Sequence, residues 1–213
     1  MYMIKAIFWD NDGVLVDTEK LYYRANKETF AKMGIELSEE LYIEFFLKQS
    51  LGTWHLAQAK GFNKEQIDAF HVERDELYSR LLSTEMNVIT GAEETLKKLY
   101  SKFKMGIVTS SKKDHFEIIH KKSNLLEYFD FTLAFGDYVK SKPAPDPYIK
   151  AIEISGFLKE ECIAVEDSER GLQAALNAGI NCYVIPTALT RHCNFTGAKK
   201  ILNSITELPD LLL

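Results

Sequence analysis

Short apolar runs recur along the chain and predict the strands of a parallel sheet. They cover residues 4–9, 105–109, 131–135, 162–166 and 181–185. The first run is apolar except for Lys5, which is typical of a strand that is covered on both faces. Segments with apolar residues at helical spacing lie between the later runs, over 93–100, 114–122, 148–154 and 171–177. This alternation predicts an α/β fold with a doubly wound parallel sheet.

Residues 18–86 differ from the rest of the chain because they show helical periodicity and no convincing strand. We predict helices over 21–33, 39–48, 51–60 and from 63 to about 82. Asn63 followed by Gln66 has the pattern of a capping box at the start of the last one.

Four such helices can form a small bundle. We therefore predict a helical cap domain over 18–86, inserted into a core formed by 1–17 and 87–213. Because the insertion follows the first strand directly, it would cover that strand end as a lid. A domain that only packs against the core is the alternative.

The composition excludes several classes of protein. The chain has 213 residues, of which 46% are hydrophobic, so it can bury a substantial core. Its formal net charge is −5 and it has no long run of Lys and Arg, which argues against nucleic acid as a partner. No apolar stretch approaches the roughly 18 residues of a membrane-spanning helix. The 3 cysteines have no CxxC spacing and indicate neither a zinc site nor a disulfide framework. We therefore expect a cytoplasmic protein without a membrane partner; the oligomeric state is open, with a monomer favoured.

Acidic side chains occur at the ends of two predicted strands. Asp10 and Asp12 follow the first strand, and Glu166 and Asp167 occur at the end of the fourth. Ligands of open α/β sheets collect at the carboxyl ends of strands. Carboxylates placed close together are costly without a cation, and hard oxygen ligands from two strands suit Mg²⁺. For the first pair, an N-cap or an Asx-turn is the alternative explanation.

Neutral and cationic donors occur at the remaining strand ends. Thr109 and Ser110 come at the end of the second apolar run, and Lys142 begins a loop that prolines stiffen. Such groups can bind an oxyanion. Taken alone, such hydroxyls more often cap the next helix, and Lys142 could equally be a solvated surface residue. Taken together, the four strand ends predict phosphoryl transfer, in which positioning and charge neutralisation carry most of the catalysis.

These segments resemble, in order, the signature motifs of the haloacid dehalogenase (HAD) superfamily, in its branch of phosphatases and β-phosphoglucomutase-like proteins with a helical cap. The motifs are found in residues 10–19, 108–110, 141–148 and 165–179. The resemblance spans nearly the whole predicted core and implies a Rossmann-like fold that acts on a small phosphomonoester. Dehalogenation would need no metal and no paired acids, and no GxGxxG follows the first strand to bind a nicotinamide.

The resemblance also implies a role for each motif residue. Asp10 would be the nucleophile that forms an aspartyl-phosphate. Asp12 would be the general acid and then the general base. Mg²⁺ would be held by the carboxylates of Asp10 and Asp167, by the backbone carbonyl of Asp12, and by Glu166 directly or through water. The phosphoryl oxygens would be bound by Thr109, Ser110 and Lys142.

The predicted cap departs from the mutase members of the family. Tyr22 stands at about the position of a histidine in those members, and Lys48 matches a lysine in a stretch, 47–52, whose glycine and arginine are not matched. A mutase holds a bisphosphate at both ends, which favours a second cationic site in the cap. We therefore predict a phosphatase that acts on a small, sugar phosphate-like metabolite, with Tyr22 and Lys48 as candidate substrate contacts. A β-phosphoglucomutase-type mutase is the alternative, and a catalytically silent protein that binds phosphate esters is the third possibility.

Overall fold

A parallel sheet forms the centre of the computed structural model, which describes residues 3–48, 52 and 54–213. The strands are β1 (Ala6–Trp9), β2 (Val16–Asp17), β3 (Asn87–Val88), β4 (Lys104–Val108), β5 (Phe131–Leu133), β6 (Cys162–Glu166), β7 (Asn181–Val184) and β8 (Lys200–Ile201). Within the described residues, six strands form one sheet in the order β5-β4-β1-β6-β7-β8, and all neighbouring pairs are parallel. The strands predicted from the apolar runs are all confirmed.

Helices cover both faces of this sheet. The α-helices of the described residues are α1 (Glu19–Lys32), α2 (Glu39–Tyr42), α3 (Trp54–Ala59), α4 (Lys64–Glu85), α5 (Ala92–Leu99), α6 (Lys113–Ser123), α7 (Asp146–Ser155), α8 (Glu169–Asn177) and α9 (Leu208–Leu212). Ile7 and Trp9 of β1 pack on one side, in a core shared with α5, α6 and α9. Phe8 packs on the other side with Tyr148 of α7 and Leu172 of α8. Burial on both sides explains the continuous apolar run of β1 and confirms the doubly wound α/β fold.

The segment between β2 and β3 holds α1 to α4 and contains no strand among its described residues. Its buried side chains form a core of their own, which includes Phe30, Tyr42 and Ile67. The short strands β2 and β3 pair antiparallel, with Val16 opposite Val88. The chain therefore enters and leaves the helical segment at adjacent points. None of the helices in the described residues has the length and apolarity that crossing a membrane requires.

Two parts of the helical segment differ from the prediction. The helix expected over 39–48 is an α-helix only to Tyr42 and continues as a π-helix over Ile43–Lys48. The wider π turn brings the consecutive residues Phe46 and Leu47 into the buried core. The third helix begins at Trp54 rather than at residue 51, which lies outside the described residues.

The tail holds elements that its apolar pattern does not predict, β8 and α9. Both residues of β8 are exposed, and a two-residue edge strand has no apolar run to reveal it. The five-residue helix α9 is too short for a helical period to be recognised.

The capping box at the start of α4 is confirmed and generates a prediction. Asn63 Oδ1 accepts the backbone N–H of Gln66 at 2.9 Å, and Gln66 Oε1 accepts that of Asn63 at 3.0 Å. Asn63→Ala should therefore lower the free energy of unfolding by about 1 kcal/mol, measured by urea unfolding. Asn63→Asp keeps the acceptor and is the matched control. Equal losses in the two variants would contradict a role for the cap.

Candidate active site

The carboxyl ends of β1, β4 and β6 meet at one edge of the sheet and line a cleft of about 320 Å³. Asp10 follows β1 directly, Thr109 and Ser110 follow β4, and Glu166 ends β6. Lys142 reaches the same cleft from the segment between β5 and α7. Side chains of α1, α2 and α4 supply the facing wall. The structure thus brings the predicted core residues together from four distant parts of the chain.

Three buried carboxylates form a cluster on one side of this cleft. Asp10, Glu166 and Asp167 each offer an oxygen within 4.8 Å of the others. Their exposed fractions are 8%, 0% and 4%, respectively. Glu166 Oε2 has no hydrogen-bond partner among the described residues, and burying such an oxygen unpaired is costly. The cluster therefore offers the hard oxygen ligands of a divalent cation such as Mg²⁺.

Lys142 lies against the cluster and is 3% exposed. Its Nζ lies 2.7 Å from Asp10 Oδ1 and 2.6 Å from Glu166 Oε1, and it donates to the carbonyl of Val108 at 2.7 Å. Lys142 and the nearby Arg170 together supply fewer positive charges than the three carboxylates carry negative ones. Burial raises the pKa of Asp10 to about 7 although Lys142 lowers it. Burial and the nearby Asp10 also raise the pKa of Asp167 well above its ordinary value. A bound cation would offset this excess of negative charge.

Two glycines leave room for the carboxylates. A Cβ on Gly171, in the first turn of α8, would lie 1.9 Å from Glu166 Oε2. A Cβ on Gly13 would lie 2.4 Å from Asp167 Oδ2, and the φ of +83° at Gly13 also favours glycine. Any side chain at either position would displace a carboxylate of the cluster.

The carboxylate of Asp12 lies outside the acidic cluster of the described residues and is held by hydroxyl groups instead. It accepts hydrogen bonds from Thr18 Oγ1 at 2.5 Å, Ser111 Oγ at 2.7 Å and Thr109 Oγ1 at 3.1 Å. Asn11 Nδ2 donates to it at 3.3 Å. Among the predicted metal ligands, Asp12 is thus the one whose carboxylate the structure does not bring to the cluster. These donors compensate its charge without a metal.

The predicted phosphate ligands line the same cleft. Thr109, Ser110 and Lys142 all line it, and Thr109 is 1% exposed. The Thr109 carbonyl accepts a hydrogen bond from the hydroxyl of Tyr138 at 2.7 Å, which fixes the backbone at this strand end. Ser111 also lines the cleft, although the sequence pattern singled out only its two predecessors.

The two substrate contacts predicted in the helical segment have different outcomes. Tyr22 lines the cleft, where its hydroxyl accepts a hydrogen bond from Arg74 Nη1 at 2.8 Å. Lys48 is not among the residues that line it and instead pairs with Glu44 at 3.3 Å, one turn earlier. The rest of the stretch used to predict this lysine, residues 49–51, lies outside the described residues.

The structure adds a cationic corner that the sequence analysis missed. Arg74 of α4 is 6% exposed and lines the cleft. Its Nε lies 2.7 Å from Asp75 Oδ1, and Lys112 Nζ lies 2.6 Å from Asp75 Oδ2. Two cations share one carboxylate, so this corner carries an excess of positive charge. In the sequence, Arg74 stands in a run of charged residues that resembles a solvated helix face.

The sequence analysis also missed a second group of residues that line the cleft. Glu19 accepts a hydrogen bond from the hydroxyl of Tyr42, and both residues line the cleft. Burial raises the pKa of Glu19, while the Tyr42 hydrogen bond lowers it. Arg170 of α8 also lines the cleft, and its Nε has no hydrogen-bond partner among the described residues. These groups can bind the polar part of a small molecule.

The family model described as haloacid dehalogenase-like hydrolase matches residues 7–185. Protein CbbY of Cereibacter sphaeroides is 32% identical over 222 residues, which cover 98% of this chain and 96% of that protein. A phosphorylated carbohydrates phosphatase of Thermotoga maritima is 31% identical over 184 residues, which cover 83% of this chain and 82% of that protein. A 6-phosphogluconate phosphatase of Escherichia coli is 31% identical, covering 86% and 83%.

Solved structures of CbbY from Rhodobacter sphaeroides are similar to the whole fold. One is a complex with phosphate, and another is a mutant in complex with xylulose-(1,5)bisphosphate. Both superpose with a TM-score of 0.80 at 29% identity, covering 97% of this chain and 96% of CbbY.

Removing the charge of Lys142 should destabilise the protein strongly. In Lys142→Met, the carboxylates of Asp10 and Glu166 would remain buried without their cation. We expect the free energy of unfolding at pH 7, measured by urea unfolding with a chelator present, to fall by about 3 to 5 kcal/mol. Lys140→Met, at an exposed position in the same segment, is the matched control and should change stability little. A loss in Lys142→Met no larger than in the control would show that the charge balance is not needed.

Proposed function

The chain belongs to the haloacid dehalogenase-like hydrolases and is a phosphatase of this superfamily; we propose that it requires Mg²⁺ and works through an aspartyl-phosphate on Asp10. The observation that carries the proposal is the pairing, in one cleft, of a buried carboxylate cluster with Lys142 and a row of hydroxyls. A cation site and a phosphate site side by side suit phosphoryl transfer.

Asp10 and Asp12 divide the chemistry between them in this proposal. A carboxylate oxygen of Asp10 bonds to phosphorus while the bond from phosphorus to the ester oxygen breaks, and Asp12 gives its proton to that oxygen. Water then attacks the phosphorus of the aspartyl-phosphate, and Asp12 takes a proton from the water. The bond between Asp10 and phosphorus breaks, which releases inorganic phosphate. The hydroxyls around Asp12 can both donate and accept, so they suit both of its protonation states.

The residues of the acidic cluster fit Mg²⁺ as its ligands. The carboxylates of Asp10 and Asp167 and the carbonyl of Asp12 would hold it, with Glu166 bonded directly or through water. When bound, Mg²⁺ supplies positive charge that neutralises the transferring phosphoryl group. Lys142 keeps Asp10 oriented and adds a second positive charge from the buried side of the cleft.

The cationic corner supports a substrate with a second anionic group. Arg74, Lys112 and the acid that they share lie on the wall formed by the helical segment and the start of α6. A mutant of the related CbbY has been solved in complex with xylulose-(1,5)bisphosphate, a ligand with two phosphate groups. We infer that residues 18–86 form the cap that selects the substrate, a sugar phosphate-like metabolite. The cytoplasmic location and the monomeric state stay predictions.

A mutase is the second candidate function because of the same corner. The lack of a matching cap arginine in 47–52 favoured water as the phosphate acceptor, but Arg74 supplies a cation from α4. A bisphosphate held at both ends could turn over and give its other phosphoryl group back to Asp10, which would leave the isomeric monophosphate. Relatives in Thermotoga maritima and Escherichia coli are phosphatases by name, which favours hydrolysis.

Substitution of the nucleophile tests the reaction. Asp10→Asn should lower the release of phosphate from 4-nitrophenyl phosphate by about a thousandfold or more, because an amide oxygen is a poor nucleophile. A chelator should abolish the release by the wild-type protein, and added Mg²⁺ should restore it. Asp68→Asn, at an exposed position on α4, is the matched control and should keep wild-type turnover.

Two outcomes would overturn the proposal. Wild-type turnover in Asp10→Asn, or after chelation, would exclude the mechanism. With β-glucose 1-phosphate and a trace of its bisphosphate, isomerisation faster than phosphate release would identify a mutase instead.

Substitution of Arg74 tests the second anionic group. Arg74→Met should lower kcat/KM for xylulose 1,5-bisphosphate by about ten- to a hundredfold, the loss expected for one hydrogen bond to a charged group. The value for 4-nitrophenyl phosphate, which has no second anion, should change little. Arg80→Met, at an exposed position on the same helix, is the control. Equal losses on the two substrates would assign Arg74 to folding rather than to recognition.

A further inference from the structure

A buried chain of hydrogen bonds leads from α6 to the pair of catalytic aspartates. His120 Nε2 lies 2.9 Å from Asn11 Oδ1, and His120 Nδ1 lies 2.8 Å from Ser123 Oγ. Asn11 is 0% exposed, and the two α6 residues are each 6% exposed. Asn11 Nδ2 in turn donates to Asp12 Oδ2 at 3.3 Å. The chain therefore ends on the carboxylate that serves as proton carrier.

The chemistry of these groups fixes the direction of each hydrogen bond. Asn11 Oδ1 can only accept, so His120 carries its proton on Nε2. In the neutral ring, Nδ1 then accepts from the Ser123 hydroxyl. Burial lowers the pKa of His120 to about 4, so the ring is neutral at pH 7. A flipped Asn11 amide would point its oxygen at the Asp12 carboxylate. Both groups would then be acceptors and would repel each other, so this orientation is disfavoured.

We propose that His120 is a positioning residue, which locks the side-chain amide of Asn11 and through it orients the carboxylate of Asp12 for proton transfer. The role rests on the proposed function, because it concerns the general acid and base of that mechanism.

Thr18 donates to Asp12 Oδ1, whereas Asn11, Thr109 and Ser111 all donate to Oδ2. Of the donors to Oδ2, Thr109 and Ser111 belong to the cleft lining, and their hydroxyl protons can turn toward a bound phosphate. The Asn11 amide is planar and is held at its oxygen by His120. When substrate draws the hydroxyls away, Asn11 remains as a donor of fixed direction. A displacement of about 1 Å at a reacting group can cost about a hundredfold in rate.

Leaving-group dependence distinguishes positioning of the acid from a loss of packing. Phenolate is a strong base and needs a proton to leave, whereas 4-nitrophenolate leaves without one. The kcat/KM value reports the step in which the leaving group departs, before water attacks the aspartyl-phosphate. His120→Leu should therefore lower kcat/KM for phenyl phosphate by about ten- to a hundredfold, and for 4-nitrophenyl phosphate by less than about threefold.

Two further variants separate the hydrogen bond from the volume of the ring. His120→Gln keeps a donor N–H near the position of Nε2 and should recover most of the loss on phenyl phosphate. Ile119→Val removes buried volume from the neighbouring α6 position, which is 0% exposed. It should lower the midpoint of urea unfolding and leave the ratio of the two kcat/KM values unchanged.

Equal losses on the two esters in His120→Leu, or no recovery in His120→Gln, would refute the positioning role while leaving the phosphatase intact. Wild-type protein that hydrolyses neither ester would refute the proposed function itself.

If His120→Leu does not fold, ¹⁵N NMR of the wild-type protein can instead show which ring nitrogen of His120 carries the proton. A neutral ring protonated on Nε2 supports the inference, and a ring protonated on Nδ1 overturns it.

Discussion

The balance of charge at the carboxyl ends of β1 and β6 is the constraint on which the rest of the structure depends. Asp10, Glu166 and Asp167 are buried within 4.8 Å of one another, and Lys142 forms ion pairs with two of them. Arg170 also interacts with Asp167, but the two cations together are fewer than the three carboxylates. Such an excess of buried negative charge is costly unless a further cation joins it. The same excess would favour binding of a divalent ion, and Gly171 leaves the space that the carboxylates need.

The parallel sheet makes this arrangement possible because it ends its strands at a common edge. β1 and β6 are direct neighbours in the sheet, so the acidic residues at their carboxyl ends lie close together. β4 lies on the other side of β1 and brings Thr109 to the same cleft. The helical segment leaves and rejoins the core at the paired strands β2 and β3, which places its wall over the ends of the central strands.

The sequence predicted the sheet and the core motifs well because both depend on local pattern. Apolar runs mark the strands, and a residue that follows a strand is placed by that strand alone, as Asp10 and Thr109 are. Arg74 could not be found in this way, because its burial depends on how α4 packs over the cleft. Lys48 was assigned to the cleft from a short loop match, whereas the π-helical turn directs it to Glu44.

The position between Asp10 and Asp12 shows the same limit most clearly. Its backbone belongs to the motif, but its side chain points into the protein, and no rule about the motif says which residue should meet it there. In this chain Asn11 occupies the position, and its hydrogen-bond partner His120 lies on α6, 109 residues later in the sequence. A buried amide facing an apolar helix would leave its oxygen unpaired, so the asparagine and the histidine depend on each other. The motif therefore places Asp10 and Asp12 at the strand end. In our proposal, the packing of α6 against β1 determines how firmly His120 and Asn11 hold the carboxylate of Asp12.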